Sequence, residues 1–154
     1  SDPYIEFRQL GIVDRFGRTA VRTGSSNNPW AGHETGDGWV VMGNAVVDEG
    51  VVAAMATAMR DHRAEDIETR LMQSISAGTD AGGQPDGQRA AAVVVHENEG
   101  YPIVNLRVDD HDEPMQELWR LFHKMLPLVP YYRQRPDDPT LGRVVDWKKK
   151  HGID

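Results

Sequence analysis

The chain has 154 residues, no cysteine and a formal charge of −7, with 39% apolar residues and 15 glycines. That is one domain's worth of ordinary globular sequence, large enough to bury a core. Disulfides, zinc–thiolate centres and thiol nucleophiles are excluded, and the acidic balance argues against a nucleic-acid partner. No apolar run approaches the roughly 20 residues of a membrane span, and no signal-peptide pattern opens the chain. A cytoplasmic protein without a membrane or nucleic-acid partner is the expectation.

Taken in chain order, Arg8–Asp14 is strand-like, Asp14-Arg15-Phe16-Gly17 is a turn, and Thr19–Thr23 returns as a partner strand. Ser25–Pro29 reads as a polar loop. Trp30–Asn44 holds four glycines, two tryptophans and a histidine, and reads as a loop followed by a buried strand over Gly38–Gly43. Asp48 is placed to cap a helix carrying Val51, Val52, Met55 and Met59 on one face. A second helix is expected from Glu65 to Ala77, with Gly78 as its stop and a turn-rich loop to Gly87.

Arg89–His96 and Tyr101–Val108 read as a second hairpin, and Glu113-Pro114 opens a helix with Met115, Leu118, Phe122 and Met125 on its apolar face. After Pro127 the prolines predict an extended arm that wraps the surface or a partner, ending in the solvated run Lys148–Lys150. The order predicts an α+β domain over residues 1–126, with helices packed on largely antiparallel sheet, followed by a Pro-rich arm over residues 127–154.

Three places could carry chemistry. His33, flanked by glycines and near Trp30 and Trp39, is either a base or orienting donor, or a loop histidine that fixes the turn. The run Asp109-Asp110-His111-Asp112-Glu113 could gather a hard cation or a substrate. Capping of the next helix and ion pairing are favoured for Asp112 and Glu113; Arg107 on the preceding strand could pair with Asp109, and Asp109, Asp110 and His111 stay open between the two readings. The spacing matches no defined metal loop, and neither metal nor cofactor is assigned. Gly82-Gly83 precedes a strand rather than a helix, so a phosphate cradle is disfavoured. Thr23, Ser25 and Ser26 lack a nucleophile elbow. Ser1 is rejected as a nucleophile because Asp2-Pro3 would spoil the strand such a residue begins.

Several segments together resemble the bacterial and archaeal domain-of-unknown-function family numbered 1028. They are Arg8–Asp14, Thr23-Gly24, Trp30–His33, Thr35–Gly38, Met42-Gly43-Asn44, Ala81-Gly82-Gly83, Gln88–Ala92 and Leu106–His111, in that order, covering about residues 8–126. The resemblance implies an N-terminal-nucleophile (Ntn) hydrolase-like fold, a four-layer αββα sandwich of mostly antiparallel sheets. It also implies that the first strands lie upstream of Ser1, where a nucleophile would begin the chain. The family's activity is not established.

On that resemblance the expected function is hydrolysis of a small amide or peptide. Asn44 would serve as oxyanion donor and His33 as base or orienting group. Substrate contacts would come from Trp30, Asp37, Trp39, Asp109, Asp110 and His111. The alternative is a non-catalytic small-molecule-binding protein on the same fold. Missing strands would leave open edges, so the chain's own N-terminal segment and a homo-oligomer are the expected partners.

Overall fold

The computed structural model describes residues 2–153; Ser1, and with it the rejected nucleophile, lies outside them. The fold is mixed α+β, with three two-stranded antiparallel sheets among the described residues. It divides into two compact units, one ending at Gln88 and one beginning at Arg89.

The first unit opens with strands β1 (Gln9–Val13) and β2 (Thr19–Thr23), paired with Gln9 opposite Thr23 and Val13 opposite Thr19. The turn between them closes on Gly17, at φ 77°, while Asp14 accepts from the backbone of Phe16 and Arg18. A second hairpin follows, made of β3 (Ala31–Gly36) and β4 (Trp39–Asn44). The glycines and polar side chains of β3 predict loop, and the structure has a strand there. Those glycines are required by close packing. A Cβ on Gly32 would stand 2.1 Å from the Trp30 ring, and one on Gly36 would stand 2.3 Å from the Trp39 ring. Indoles occupy the space that side chains fill in an ordinary strand.

Helix α1 (Glu49–Asp61) starts as expected, with Asp48 accepting from the Gly50 N–H at 2.7 Å. Its Val52, Ala56 and Met59 form the core with Trp39 and Val41, which point from one face of β4. Helix α2 (Ile67–Asp80) packs along α1 and runs past Gly78 rather than stopping there. Gly78 is buried, and a Cβ on it would lie 2.7 Å from Met55 Cγ. The residue brings two helices together instead of ending one.

The other face of β3–β4 receives the first hairpin. Gln9, Gly11, Val13, Val21 and Thr23 lie on the side of β1–β2 turned toward it, while Leu10, Ile12, Ala20 and Arg22 alternate outward and are exposed. The unit is therefore layered: helices, hairpin, hairpin.

In the second unit β5 (Ala91–His96) pairs with β6 (Pro102–Val108), and α3 (Pro114–Met125) covers one face of the pair. Val93, Val95, Val104, Leu118 and Phe122 are buried, whereas Val94 alternates to the opposite, exposed face. The segment after Pro127 is helical, not the extended arm its prolines suggested. Pro130 sits in the first turn of α4 (Val129–Gln134) and Pro139 in a 3₁₀ turn, where a missing N–H costs nothing. The buried Tyr131 and Trp147 rings meet edge to face at 5.7 Å, and the Tyr131 hydroxyl donates to the Gly142 carbonyl at 2.8 Å. Lys148–Lys150 form the last turn of α5 (Val144–His151), where positive charge suits the helix dipole.

Gly24 gives a sharp test of this packing, because a Cβ there would lie 2.3 Å from the Glu6 carbonyl oxygen, which is backbone and cannot swing away. Gly24→Ala is expected to lower unfolding free energy by about 1–3 kcal/mol in urea melts. Gly100→Ala, which meets nothing within 4 Å, is expected to stay within about 0.5 kcal/mol of the parent.

Candidate functional site

The most connected group of polar side chains lies between the two hairpins. Gln9 faces the β3–β4 layer from the start of β1, opposite Thr23 on β2. Its side-chain nitrogen lies 3.0 Å from Thr23 Oγ1, 3.0 Å from the Gly32 carbonyl and 2.9 Å from the Gly43 carbonyl. Gly32 and Gly43 are register partners on β3 and β4, so one amide spans both strands of the neighbouring layer. The hairpins can approach this closely because Gly11 lacks the Cβ that would lie 3.0 Å from Met42 of the facing layer.

Thr23 Oγ1 in turn lies 2.8 Å from Nδ1 of His33, whose ring is exposed. The chain Gln9–Thr23–His33 thus holds an exposed imidazole by its Nδ1 at the surface of the interlayer space.

Asn44 closes β4 on the same face as His33. Its Nδ2 donates to Asn27 Oδ1 at 2.6 Å, and Asn27 donates to the carbonyls of Gly24 at 2.8 Å and Arg8 at 3.1 Å. The loop read from sequence as simply polar is therefore stitched to β1 and β4. Glu6 ties its other side, accepting from Ser25 N–H at 3.0 Å and Ser25 Oγ at 2.9 Å and pairing with Arg22. The Ser25 N–H, then the Ser25 hydroxyl, hold the Glu6 carboxyl below its usual range, with the Arg22 charge adding to them.

A model of the family of unknown function DUF1028 matches residues 1–118. The chain belongs to this family. A crystal structure of a DUF1028 protein from Silicibacter pomeroyi is similar over 80% of the present chain, with 33% identity and a TM-score of 0.67. The present chain spans 54% of that one, about half its length. None of the curated proteins matches.

Four of the segments on which the DUF1028 resemblance rests, around Gln9, Thr23-Gly24, Trp30–His33 and Gly43-Asn44, converge on this interlayer cluster. Gln9 and Asn27 were not picked out from the sequence. The available signal for Gln9 was a polar residue at an inward position of an otherwise apolar strand. His33 and Asn44 share a face. Trp30 and Trp39 do not join them, since both indoles lie on the helix side of β3–β4. Trp39 is buried, with the Arg60 guanidinium 5.5 Å from its ring centre. Asp37 is exposed at the β3–β4 turn, where Gly38 at φ 73° donates its N–H to the Gly17 carbonyl at 3.2 Å.

Asp109, Asp110 and His111 belong to the other unit of the DUF1028 chain. Arg107 donates twice to Asp109, at 2.9 and 2.6 Å, which decides between the two readings left open for that carboxylate. Arg89 holds Asp110 at 2.7 Å and also pairs with Asp112. The hydrogen bonds that Arg89 donates to these two carboxylates, that to Asp110 first, raise the Arg89 pKa. Glu113 stands at the N-cap of α3 but makes no side-chain cap bond, and its own N–H is accepted by His111 Nδ1 at 2.9 Å. Asp112 is drawn away by its guanidinium partner. Among the described residues no three His, Asp or Glu side chains converge to hold a metal ion.

Two outcomes follow from the cluster. Gln9→Leu strips the Gly32 and Gly43 carbonyls of a donor and is expected to cost about 1–3 kcal/mol in chemical denaturation. Because Glu6 is more acidic folded than unfolded, its contribution is complete above the ordinary glutamate pKa of 4.5 and is lost as pH falls through its lower folded value. The Tm gap between the parent and Glu6→Gln is therefore expected to be widest near neutrality and to close in acid.

Proposed function

We propose that this chain is the larger part of a four-layer αββα domain of the Ntn-hydrolase kind, and that the complete protein cleaves an amide bond in a small-molecule or peptide substrate. Support for the architecture comes from the first unit, which has α1 and α2, then β3–β4, then β1–β2 in order. The outward residues Leu10 and Ile12, 49% and 63% exposed, would receive the fourth, helical layer.

The contact that carries the chemical reading is Thr23 Oγ1 to His33 Nδ1, beside Asn44 between two layers. Amide hydrolysis needs a nucleophile, a proton acceptor and donors for the developing oxyanion. On this reading the nucleophile begins the mature chain upstream of Ser1. It attacks the carbonyl carbon, the C–N bond breaks, the amine leaves protonated, and water releases the acyl group. His33, held at Nδ1 by Thr23 Oγ1, accepts or orients a proton at its other ring nitrogen. One Asn44 N–H is committed to Asn27, and the other is directed to the oxyanion.

One observation favours the non-catalytic alternative: Gln9, Thr23, Asn27 and Asn44 all have internal partners, as a structural knot requires. Kinetics separate the two. Complete protein given a panel of small amides is expected to release amine. His33→Gln is expected to lower kcat about 10²–10⁴-fold, and Asn44→Ala about 10²–10³-fold. Turnover unchanged in both variants would overturn the assigned roles. Ligand-dependent thermal shifts without any turnover would favour the binding protein.

A further inference from the structure

The second unit holds a crevice of about 100 Å³ between the turn of the β5–β6 hairpin and the end of α4. Glu99 and Tyr101 line one wall, and Tyr132, Pro136 and Asp137 line the other. Arg133 of α4 ties the walls together, its Nε donating to Glu97 Oε1 at 2.8 Å. Tyr101, Ile103 and Tyr132 also line a neighbouring apolar groove of about 320 Å³, which continues to Pro102, Leu106 and Met125. The two spaces therefore share a wall of two tyrosines and an isoleucine. Helix α4 lies outside residues 1–118, which the DUF1028 model matches, so one side of the crevice is built beyond the family match.

Charge and size each limit what fits. Three carboxylates, of Glu97, Glu99 and Asp137, line the crevice with a single guanidinium, and Glu97 already holds that guanidinium. Among the described residues neither Glu99 nor Asp137 has an ion-pair partner, so the balance in the crevice is negative. Tyr101 and Tyr132 stand beside them, 52% and 37% exposed, and the face of a tyrosine ring attracts a cation. A cavity of about 150 Å³ takes a benzene ring, so the smaller crevice suits a head group of a few atoms. The groove beside it suits an apolar body. Pro102 offers no N–H at the start of β6, which disfavours an added peptide strand along this groove.

We infer that the crevice and groove together bind a small organic cation, a primary ammonium or guanidinium head joined by a short aliphatic link to an apolar body. The head lies among Glu99, Asp137 and the tyrosine faces, where its charge is matched. The body lies on Ile103, Leu106 and Met125, where it leaves water. An acid with the same body is turned away by the same two carboxylates. Every lining residue belongs to the second unit, whereas His33 and Asn44 belong to the first, so this binding is independent of amide cleavage.

The test titrates 2-phenylethylamine into isotope-labelled protein expressed from its complete reading frame. Saturable resonance shifts are expected at the amides of Glu99, Tyr101, Ile103, Tyr132 and Asp137. 3-Phenylpropionate, with the same ring and the opposite charge, is expected to bind at least about tenfold more weakly. Ethylamine, the head without the ring, is expected to lose at least about tenfold with the apolar contact. Glu99→Gln combined with Asp137→Asn is expected to weaken phenylethylamine about 2–30-fold, the range for two exposed charge pairs. Both side chains are exposed, so resonances elsewhere are expected to stay in place. The propionate comparison needs no variant and decides even where the substitutions disturb folding. A lysyl-phenylalanine peptide with blocked ends is expected to bind no better than phenylethylamine, and tighter binding of it would overturn the small-molecule assignment in favour of a protein partner. Equal binding of the propionate, a double variant as tight as the parent, or no saturable shift at these residues would each overturn the inference.

Discussion

The first unit depends on a close approach between two hairpins that only glycine permits. Gln9 sends one amide nitrogen to carbonyls on two adjacent strands, and Gly11, two residues further along β1, leaves the room that Met42 and Val40 of the facing layer occupy. The opposite face of β3–β4, toward which Gly32 and Gly43 would direct a side chain, is equally crowded. A Cβ on Gly32 would strike Trp30, and one on Gly43 would lie 3.0 Å from Val52 of α1. The β3–β4 layer is thus thin at this point by necessity, pressed between an amide on one side and an indole and a helix on the other. Each such hydrogen bond adds only about 1 kcal/mol net. Its larger effect is on register, since a one-residue slip would present the glycines to the wrong layer.

Much of the fold was legible because local chemistry and tertiary packing agreed. The β1–β2 hairpin has its Asp14–Gly17 turn, α1 has its Asp48 cap, and α3 has Pro114 in its first turn. Disagreement came wherever a tertiary partner overrode a local signal. Gly32 and Gly36 read as loop until Trp30 and Trp39 are seen to cover them. Gly78 reads as a stop until Met55 is seen against it. The prolines after Pro127 read as an arm until Tyr131 and Trp147 are seen to build a small helical core.

The candidate site was legible in part for the same reason. His33 and Asn44 stand out by residue type and fall on one face, but their connections run through Gln9, Thr23 and Asn27, which look ordinary in a linear string. Spacing along the chain also joined residues that the fold separates. Trp30 and Trp39 flank His33 in sequence, yet strand alternation and the burial of both indoles send them to the helix side. The acidic run from Asp109 looked like a ligand set because its cations, Arg89 and Arg107, lie at other positions in the chain. Once those guanidiniums are placed, the carboxylates are partners in a turn, and His111 accepts the Glu113 N–H just ahead of α3.

The space between the two hairpins is graded from end to end. Gln9, Thr23 and Asn44 make one end polar, while Val13 and Val40 make the other apolar, with the register pair His33 and Met42 between them. The grading follows the strands themselves, because Gln9 and Val13 are the two ends of β1, and Asn44 lies at the opposite end of β4 from Val40. The two ends are also held differently. At the polar end Gln9 reaches the backbone of β3 and β4, and Asn27 ties Asn44 to the segment that enters β1. Toward the apolar end Gly11 leaves the room that Val40 and Met42 occupy. Directional bonds at the polar end therefore set which residues meet, and the missing side chain at Gly11 lets the two layers close on that register.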